Sequence, residues 1–230
     1  MFNILCDYFL LFIMYSFIGW IIEVINFLFI SKKVVDRGFL IGPYLPIYGF
    51  GSLAIIIFLQ KYSNDLIILF CMCMIICCVL EYFTSFIMEK LFHARWWDYS
   101  NERFNIEGRV CLKTTVLFGF AGSIILCVVN PLLRSILSMI PSLVKTFLAT
   151  ILFIIFVIDV LISFKVIFTF RTFTQNVRKD STSEFNKLVK KMISSKSFLG
   201  KRLMQAFPNL KLSFKELKDR RIKFFIRPKK

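Results

Sequence analysis

Five stretches of this chain are apolar enough to run as helices through lipid: residues 4–30, 45–59, 66–87, 110–133 and 143–170. Crossing a hydrocarbon layer as a helix takes about 20 apolar residues, and only the second stretch falls short. Lipid offers backbone amides no hydrogen-bond partner, so a spanning segment must satisfy its own. Continuous runs of Ile, Leu and Phe therefore read as helices here, despite the strand preference of Ile and Phe in water. With 57% hydrophobic residues, the chain carries more apolar surface than one soluble core of 230 residues buries. The fold class that follows is an all-α polytopic integral membrane protein. It has about five transmembrane helices within residues 1–170 and a separate basic segment over 171–230.

Cationic loops are retained in the cytoplasm, so the distribution of Lys and Arg sets the orientation. The first connection holds Lys32, Lys33 and Arg37, and the third holds Lys90, Arg95, Arg103 and Arg109. The second has Lys61 alone, and the fourth has Arg134 and Lys145. From Arg171 onward there are 18 Lys and Arg against Asp180, Glu184, Glu216 and Asp219, which accounts for +14 of the formal +16. Alternation then puts the N-terminus outside and the C-terminus inside the cell membrane. The first apolar run has no preceding Lys or Arg, contains Asp7 and lacks a small-residue cleavage site, so it reads as a retained helix rather than a signal peptide.

The seven cysteines lie inside apolar runs, where they act as small hydrophobes, and no disulfide framework is implied. Cys71, Cys73, Cys77 and Cys78 form a soft-ligand cluster that a Cu(I) ion would suit. Without a Cys-x-x-Cys pair or a His ligand, helix packing is the preferred reading, and neither metal nor cofactor is expected.

Residues in the first four crossings echo one another. Glu23 ends one descending helix and Glu81 another, each ahead of a basic loop. Gly38 to Gly49 and Gly108 to Gly119 are equally spaced, each second glycine followed by Phe. A parallel internal repeat of two helical hairpins follows, with chance similarity between apolar hairpins as the alternative. The short second helix is preceded by Gly42-Pro43-Tyr44-Leu45-Pro46. Irregular backbone at membrane depth is tolerated only where protein covers it or water reaches it, so Gly42 and Pro43 mark either a binding site or an interfacial turn.

In the basic segment, Phe185, Leu188, Val189, Met192, Ile193, Phe198, Leu199, Leu203 and Phe207 recur at helical spacing, interleaved with Lys187, Lys190, Lys191, Lys201 and Arg202. A basic amphipathic cytoplasmic tail lying on anionic inner-leaflet lipid is the expectation. Nucleic acid is the rival polyanion, but no recognition motif accompanies the charge.

Ionisable side chains inside a bilayer are costly unless paired or wetted, which singles out Glu23, Glu81 and Asp159. All three fall in the cytoplasmic half of the expected helices, with Arg37, Arg109 and Lys113 as candidate partners. Such a cluster either binds a polar solute or proton in transit, or fixes helix register. The third connection, from Glu89 to Arg109, adds Trp96, Trp97, Asp98, Tyr99, Asn105 and Arg109. The rings suit a headgroup boundary, and the dense polar groups suggest a folded loop. It also holds the chain's one histidine, His93, which with Asp98 or Glu89 would serve a lipid-modifying enzyme. No nucleophile motif or phosphate-cradling loop supports catalysis, and an enzyme is not expected.

The series Tyr15-Ser-Phe-Ile-Gly-Trp-Ile-Ile-Glu23, Arg37-Gly-Phe-Leu-Ile-Gly-Pro43, Pro46-Ile-Tyr-Gly49, Glu81-Tyr-Phe-Thr-Ser85, Glu89-Lys90, Trp96-Trp-Asp-Tyr-Ser100, Phe104-Asn105 and Gly108-Arg-Val-Cys-Leu112 resembles a bacterial membrane family, the Putative ABC-transporter type IV or permease-like proteins. The resemblance spans the first helix to the fourth and leaves the last helix and the tail outside. It implies a multi-pass permease-like protein. The chain lacks the Gly-x-x-x-x-Gly-Lys-Ser/Thr phosphate loop, so ATP-driven transport would need a separate ATPase subunit, docked on the Glu89 to Arg109 loop. Five helices are few for a whole pathway, which points to a homodimer or a partner. The leading expectation is transport of an unidentified solute. Its alternatives are a non-transporting scaffold or regulator that binds lipid, and the lipid-modifying enzyme.

Overall fold

The structure, a computed structural model, describes residues 2–32, 38, 40–92, 94–177 and the pair 211–212. Arg37, His93 and the tail cations Lys187, Lys190, Lys191, Lys201 and Arg202 lie outside the described residues. So does the amphipathic element expected there.

Helices dominate, as the apolar runs require: α1 (Phe2–Ser31), α2 (Pro46–Leu59), α3 (Leu66–Phe92), α4 (Leu112–Ile124), α5 (Asn130–Ser138) and α6 (Ser142–Val177). Among the described residues, four helical stretches are long and apolar enough to cross a membrane: Asn3–Phe29, Leu66–Leu91, Leu112–Ser138 and Ser142–Lys165. With 14 residues, α2 spans about 21 Å and cannot cross ~30 Å of hydrocarbon alone. Residues 40–45 supply the missing depth in irregular backbone.

The fourth crossing, one helix by its apolar run, is interrupted by a π turn in the structure. Pro131 has no N–H to give the carbonyl four residues earlier. The ladder resets through a π turn over Ile125–Val129, closed by the Asn130 N–H bonding to Ile125 O, and resumes as α5.

Apolar side chains face outward along the helices: Ile67 is 78% exposed, Leu143 82% and Phe153 54%. A surface of that kind needs lipid as its solvent. Between the helices, Leu11, Tyr15, Ile55, Leu59, Leu69, Cys73 and Leu126 make the core.

Side-chain packing reproduces the repeat read from the spacing. In the first hairpin, Gly49 of α2 lies against Phe12 and Ser16 of α1, and the Phe12 and Phe50 rings sit 4.8 Å apart, tilted by 57°. In the second, Gly119 of α4 lies against Phe70 and Met74 of α3, and the Phe70 and Phe120 rings sit 4.7 Å apart, tilted by 53°. Phe12, Ser16 and Glu23 each precede their counterparts Phe70, Met74 and Glu81 by 58 positions, whereas Gly49 and Phe50 precede Gly119 and Phe120 by 70. The two crossings thus share their glycine and ring contacts, and the extra residues of the second hairpin lie in the loop before α4. Glycine at the crossing lets each pair of backbones approach closely, which is how helices associate where lipid supplies no hydrophobic drive.

That loop carries short strands β1 (Ala94–Arg95), β2 (Asn105–Ile106) and β3 (Val110–Cys111). β2 and β3 form an antiparallel hairpin, and β1 pairs antiparallel with β4 (Lys211–Leu212), which brings this piece of the tail onto the loop.

Candidate functional site

The backbone between Leu40 and Pro46 cannot be helical, because Pro43 and Pro46 lack donors and disfavour helix in the residues before them. Its remaining amides must find acceptors at membrane depth. Ile41 N–H donates to Asp159 Oδ1 (2.8 Å), and Gly42 N–H donates to Asp159 Oδ2 (2.7 Å). Tyr44 N–H donates to Gly42 O (2.9 Å), and Leu45 N–H donates to Ser16 O on α1 (2.9 Å). Every donor from 41 to 45 is therefore satisfied. The Tyr44 hydroxyl and, at 2.9 Å, the Ser163 hydroxyl also donate to Asp159. Gly42 leaves room for the Tyr44 ring, which a Cβ there would strike. Asp159 on α6, 7% exposed, is thus the acceptor that replaces a helical ladder for the Gly42-Pro43 break. Its oxygens are spent on the protein.

Glu23 and Glu81 are arranged differently. Gly19, one turn before Glu23, lets the Tyr48 ring of α2 lie against α1, and the Tyr48 hydroxyl donates to Glu23 Oε1 at 2.8 Å. Glu81, 5% exposed, accepts from the Tyr99 hydroxyl at 3.1 Å through Oε1. Its Oε2 is buried and has no hydrogen-bond partner among the described residues. The four groups act on one another electrostatically, Tyr48 with Glu23, Tyr99 and Glu81, and Tyr99 with both acids. Burial, followed by the charge of Glu81 and its hydrogen bond, holds the Tyr99 phenol well above the usual tyrosine range, with Glu23 adding a smaller push. Tyr99 therefore remains a donor at physiological pH. The repeat brings its two equivalent acids to one end of the bundle.

Above them the 94–111 loop is a folded cap. Glu107 and Gly108 both have positive φ (52° and 68°), and Arg109 N–H bonds back to Ile106 O at 2.9 Å. Positive φ at both central residues is the pattern of a type I′ turn, set here in a three-residue connection, since Ile106 pairs with Val110. Asn105 fastens the turn, its Oδ1 accepting from Gly108 N–H (2.9 Å) and its Nδ2 donating to Glu102 O (2.7 Å). Asp98 accepts from the Ser100 amide at 3.0 Å and from the Ser100 hydroxyl. Trp97 Nε1–H donates to Arg109 O (2.9 Å), and Tyr99 N–H donates to Gly108 O (2.8 Å), which aims the Tyr99 ring at Glu81. Trp96 is half-buried beside them.

Arg109, 7% exposed, joins cap to helix. Its Nη2 lies 2.9 Å from Glu89 and its Nε 3.2 Å from Glu107, while the guanidinium sits 5.3 Å from the Phe86 ring centre and 5.7 Å from that of Tyr82. Tyr82 completes the network by donating to Glu107 (3.0 Å). Arg109 was expected as a partner for the membrane acids; it pairs with Glu89 and Glu107 instead, one end of the stripe further on. Lys113, in the first turn of α4, is exposed and makes no ion pair among the described residues.

Glu23, Glu81, Tyr99 and the cap are therefore contiguous, whereas Asp159, Gly42 and Pro43 form a neighbouring support. Tyr44, Tyr48 and Ser163 escaped the sequence reading. Ser163 follows Asp159 by one turn of α6, so a helical stripe through that acid would have found it, whereas no such stripe leads to Tyr44 or Tyr48.

Comparison with known families gives one match. The family model described as "Putative ABC-transporter type IV" covers residues 10–164, about two thirds of the chain, and the chain belongs to this family. The match reaches through most of α6, which the motif series had left outside. No curated protein and no solved structure matches the chain.

Proposed function

We propose that this chain is a permease-like transport subunit. A polar solute able to donate hydrogen bonds, or a proton, enters from the cytoplasm and engages Glu23 and Glu81 beneath the 94–111 cap. The observation that carries this reading is the buried Oε2 of Glu81. A carboxylate oxygen sunk among helices with no donor is costly, on the order of 1–3 kcal/mol for an unmade bond and more when charged. That cost is met when cargo or water supplies the donor. A second acid within electrostatic range, held by a tyrosine from its own hairpin, makes the position a two-carboxylate site. Membership of an ABC-transporter-related family supports the same reading.

Energy then comes from a separate ATPase subunit, since the chain itself lacks a phosphate loop. The chemistry is binding and passage rather than catalysis. Four full crossings are few for a pathway, so the working unit is a homodimer or a complex in the cell membrane. The basic tail holds it to anionic inner-leaflet lipid.

Two measurements test this. Purification from native membranes in mild detergent should bring down a stoichiometric ATPase. Inside-out vesicles containing wild type or Glu81→Gln at matched abundance, given a labelled cytosolic small-molecule extract with and without ATP, should differ in what they accumulate. Identical accumulation profiles would overturn the transport reading, and absence of an ATPase would remove the ABC-type energy source.

A further inference from the structure

At the end of the bundle away from Glu23 and Glu81, Asp7, Leu11, Arg134, Leu137, Ser138 and Lys145 line an open cleft of about 120 Å³. This is roughly ten times the ~10–15 Å³ that a single water requires. Lys145 Nζ lies 2.8 Å from Asp7 Oδ1, and its side chain is only 16% exposed. That pair is neutral, which leaves the cleft with the charge of Arg134.

Arg134 is set for recognition rather than for pairing. Its Nε donates to Oδ1 of Asn130 (3.3 Å), a residue 2% exposed and placed by the π turn ahead of Pro131. Its guanidinium lies 5.5 Å from the centre of the Tyr8 ring. Anchored through Nε, the group directs its two terminal nitrogens elsewhere, and no ion pair to them occurs among the described residues. Deeper on the same stripe of α1, four and eight residues beyond Asp7, come Leu11 and Tyr15. Tyr15 is 2% exposed, and its hydroxyl is buried without a hydrogen-bond partner among the described residues, within electrostatic range of Arg134. Leu11, one turn nearer the N-terminus, lines the cleft, and side chains on a helix lean toward its N-terminus, so Tyr15 lies just behind the cleft wall. The Ser138 hydroxyl is already donating to Ser135 O (2.7 Å) and contributes no donor.

Topology adds an independent point. Charge counting leaves three cations on the outer connections, Lys61, Arg134 and Lys145, and retention in the cytoplasm gives none of them a purpose there. Two of the three converge on this cleft.

We propose that the cleft is an oxyanion site, independent of the Glu23 and Glu81 site, taking a phosphate group through the Arg134 fork, the Lys145 ammonium and the Tyr15 hydroxyl. A planar fork of donors matches two oxygens of one phosphate. The phosphate belongs either to a free ion or to an outer-leaflet lipid headgroup.

Full-length protein in detergent, titrated with radiolabelled inorganic phosphate, tests the first source. Nanodiscs of phosphatidylcholine doped with phosphatidylglycerol, followed by native mass spectrometry of the retained lipid, test the second. Arg134→Gln should weaken whichever probe binds by at least tenfold, and Arg134→Lys by less. Asp7→Asn should tighten binding, because it frees Lys145 from its carboxylate. Glu81→Gln should leave binding unchanged, which keeps this test separate from that of transport. Since Arg134 is largely exposed, probe-free thermal unfolding of Arg134→Gln should match wild type and report that the fold is intact. Saturable phosphate binding sensitive to Arg134 assigns the free ion, and retained phosphatidylglycerol sensitive to Arg134 assigns the lipid. Binding of neither probe, or binding that Arg134→Gln leaves unchanged, overturns the site.

Discussion

Replacing Asp159 by alanine isolates the cost of irregular backbone at membrane depth. The substitution strips the acceptor from two backbone amides, Ile41 and Gly42, and from the hydroxyls of Tyr44 and Ser163. The hydroxyls can rotate to other acceptors, but the amides cannot, since Pro43 fixes the chain beside them. Two buried donors left unmade at ~1–3 kcal/mol each give a loss of about 2–6 kcal/mol. Asp159→Asn keeps one acceptor and turns an amide nitrogen toward a donor, so it should lose roughly half as much. Ser163→Ala, which removes one donor of four, should cost about 1 kcal/mol or less. Reversible unfolding in mixed micelles measures the three values, and hydrogen exchange at the Ile41 and Gly42 amides localises the effect. The reasoning fails if Asp159→Ala unfolds like wild type and both amides remain protected.

Other perturbations read other parts of the molecule. Gly108→Ala places a side chain at φ 68° and into Ser100 and Asp98, so beyond the ~1–2 kcal/mol of left-handed strain it should release the cap, seen as faster proteolysis within 98–108. Arg109→Gln breaks the pair with the half-buried Glu89 and should cost about 1–3 kcal/mol, whereas adding Glu89→Gln should recover part of the loss in a double-mutant cycle. Tyr99→Phe removes the donor to Glu81 and should cost about 1–3 kcal/mol for a bond to a charged group, by chemical denaturation. Gly49→Leu and Gly119→Leu, at equivalent positions of the repeat, should each separate their hairpin and reduce thermal stability to a similar extent; a large difference between them would break the equivalence.

The membrane class, the helices and the doubled hairpin were legible because each rests on local pattern: apolar run length, and two glycine spacings that lipid-embedded crossings require. The helix count was less so. Among the described residues four helical stretches are long and apolar enough to cross, and α2 is preceded by backbone whose support comes from Asp159, more than 110 residues away in sequence. No periodicity encodes that pairing. Glu23 and Glu81 stood out because a charge within an apolar run is conspicuous, but their partners Tyr48 and Tyr99 were hidden among aromatics that lipid boundaries also favour. Asp159, chosen by the same rule as the glutamates, has a different occupation: its four hydrogen bonds hold up the chain. Arg109 illustrates the converse, since being basic and near three acids does not say which it meets, and a tight turn at Glu107 and Gly108 decides it.

Access to Glu81 is the most direct test of whether cargo or water reaches the acid pair from the cell interior. A Glu81→Cys variant, with Cys6, Cys71, Cys73, Cys77, Cys78, Cys111 and Cys127 replaced by serine or alanine, would be treated with a membrane-impermeant thiol reagent in vesicles of either orientation. The account predicts slow labelling in inside-out vesicles and none in right-side-out ones, and faster labelling of an Arg103→Cys control on the exposed cap. Protection of Cys at 81 from both faces, with the Arg103→Cys control labelled, would contradict it.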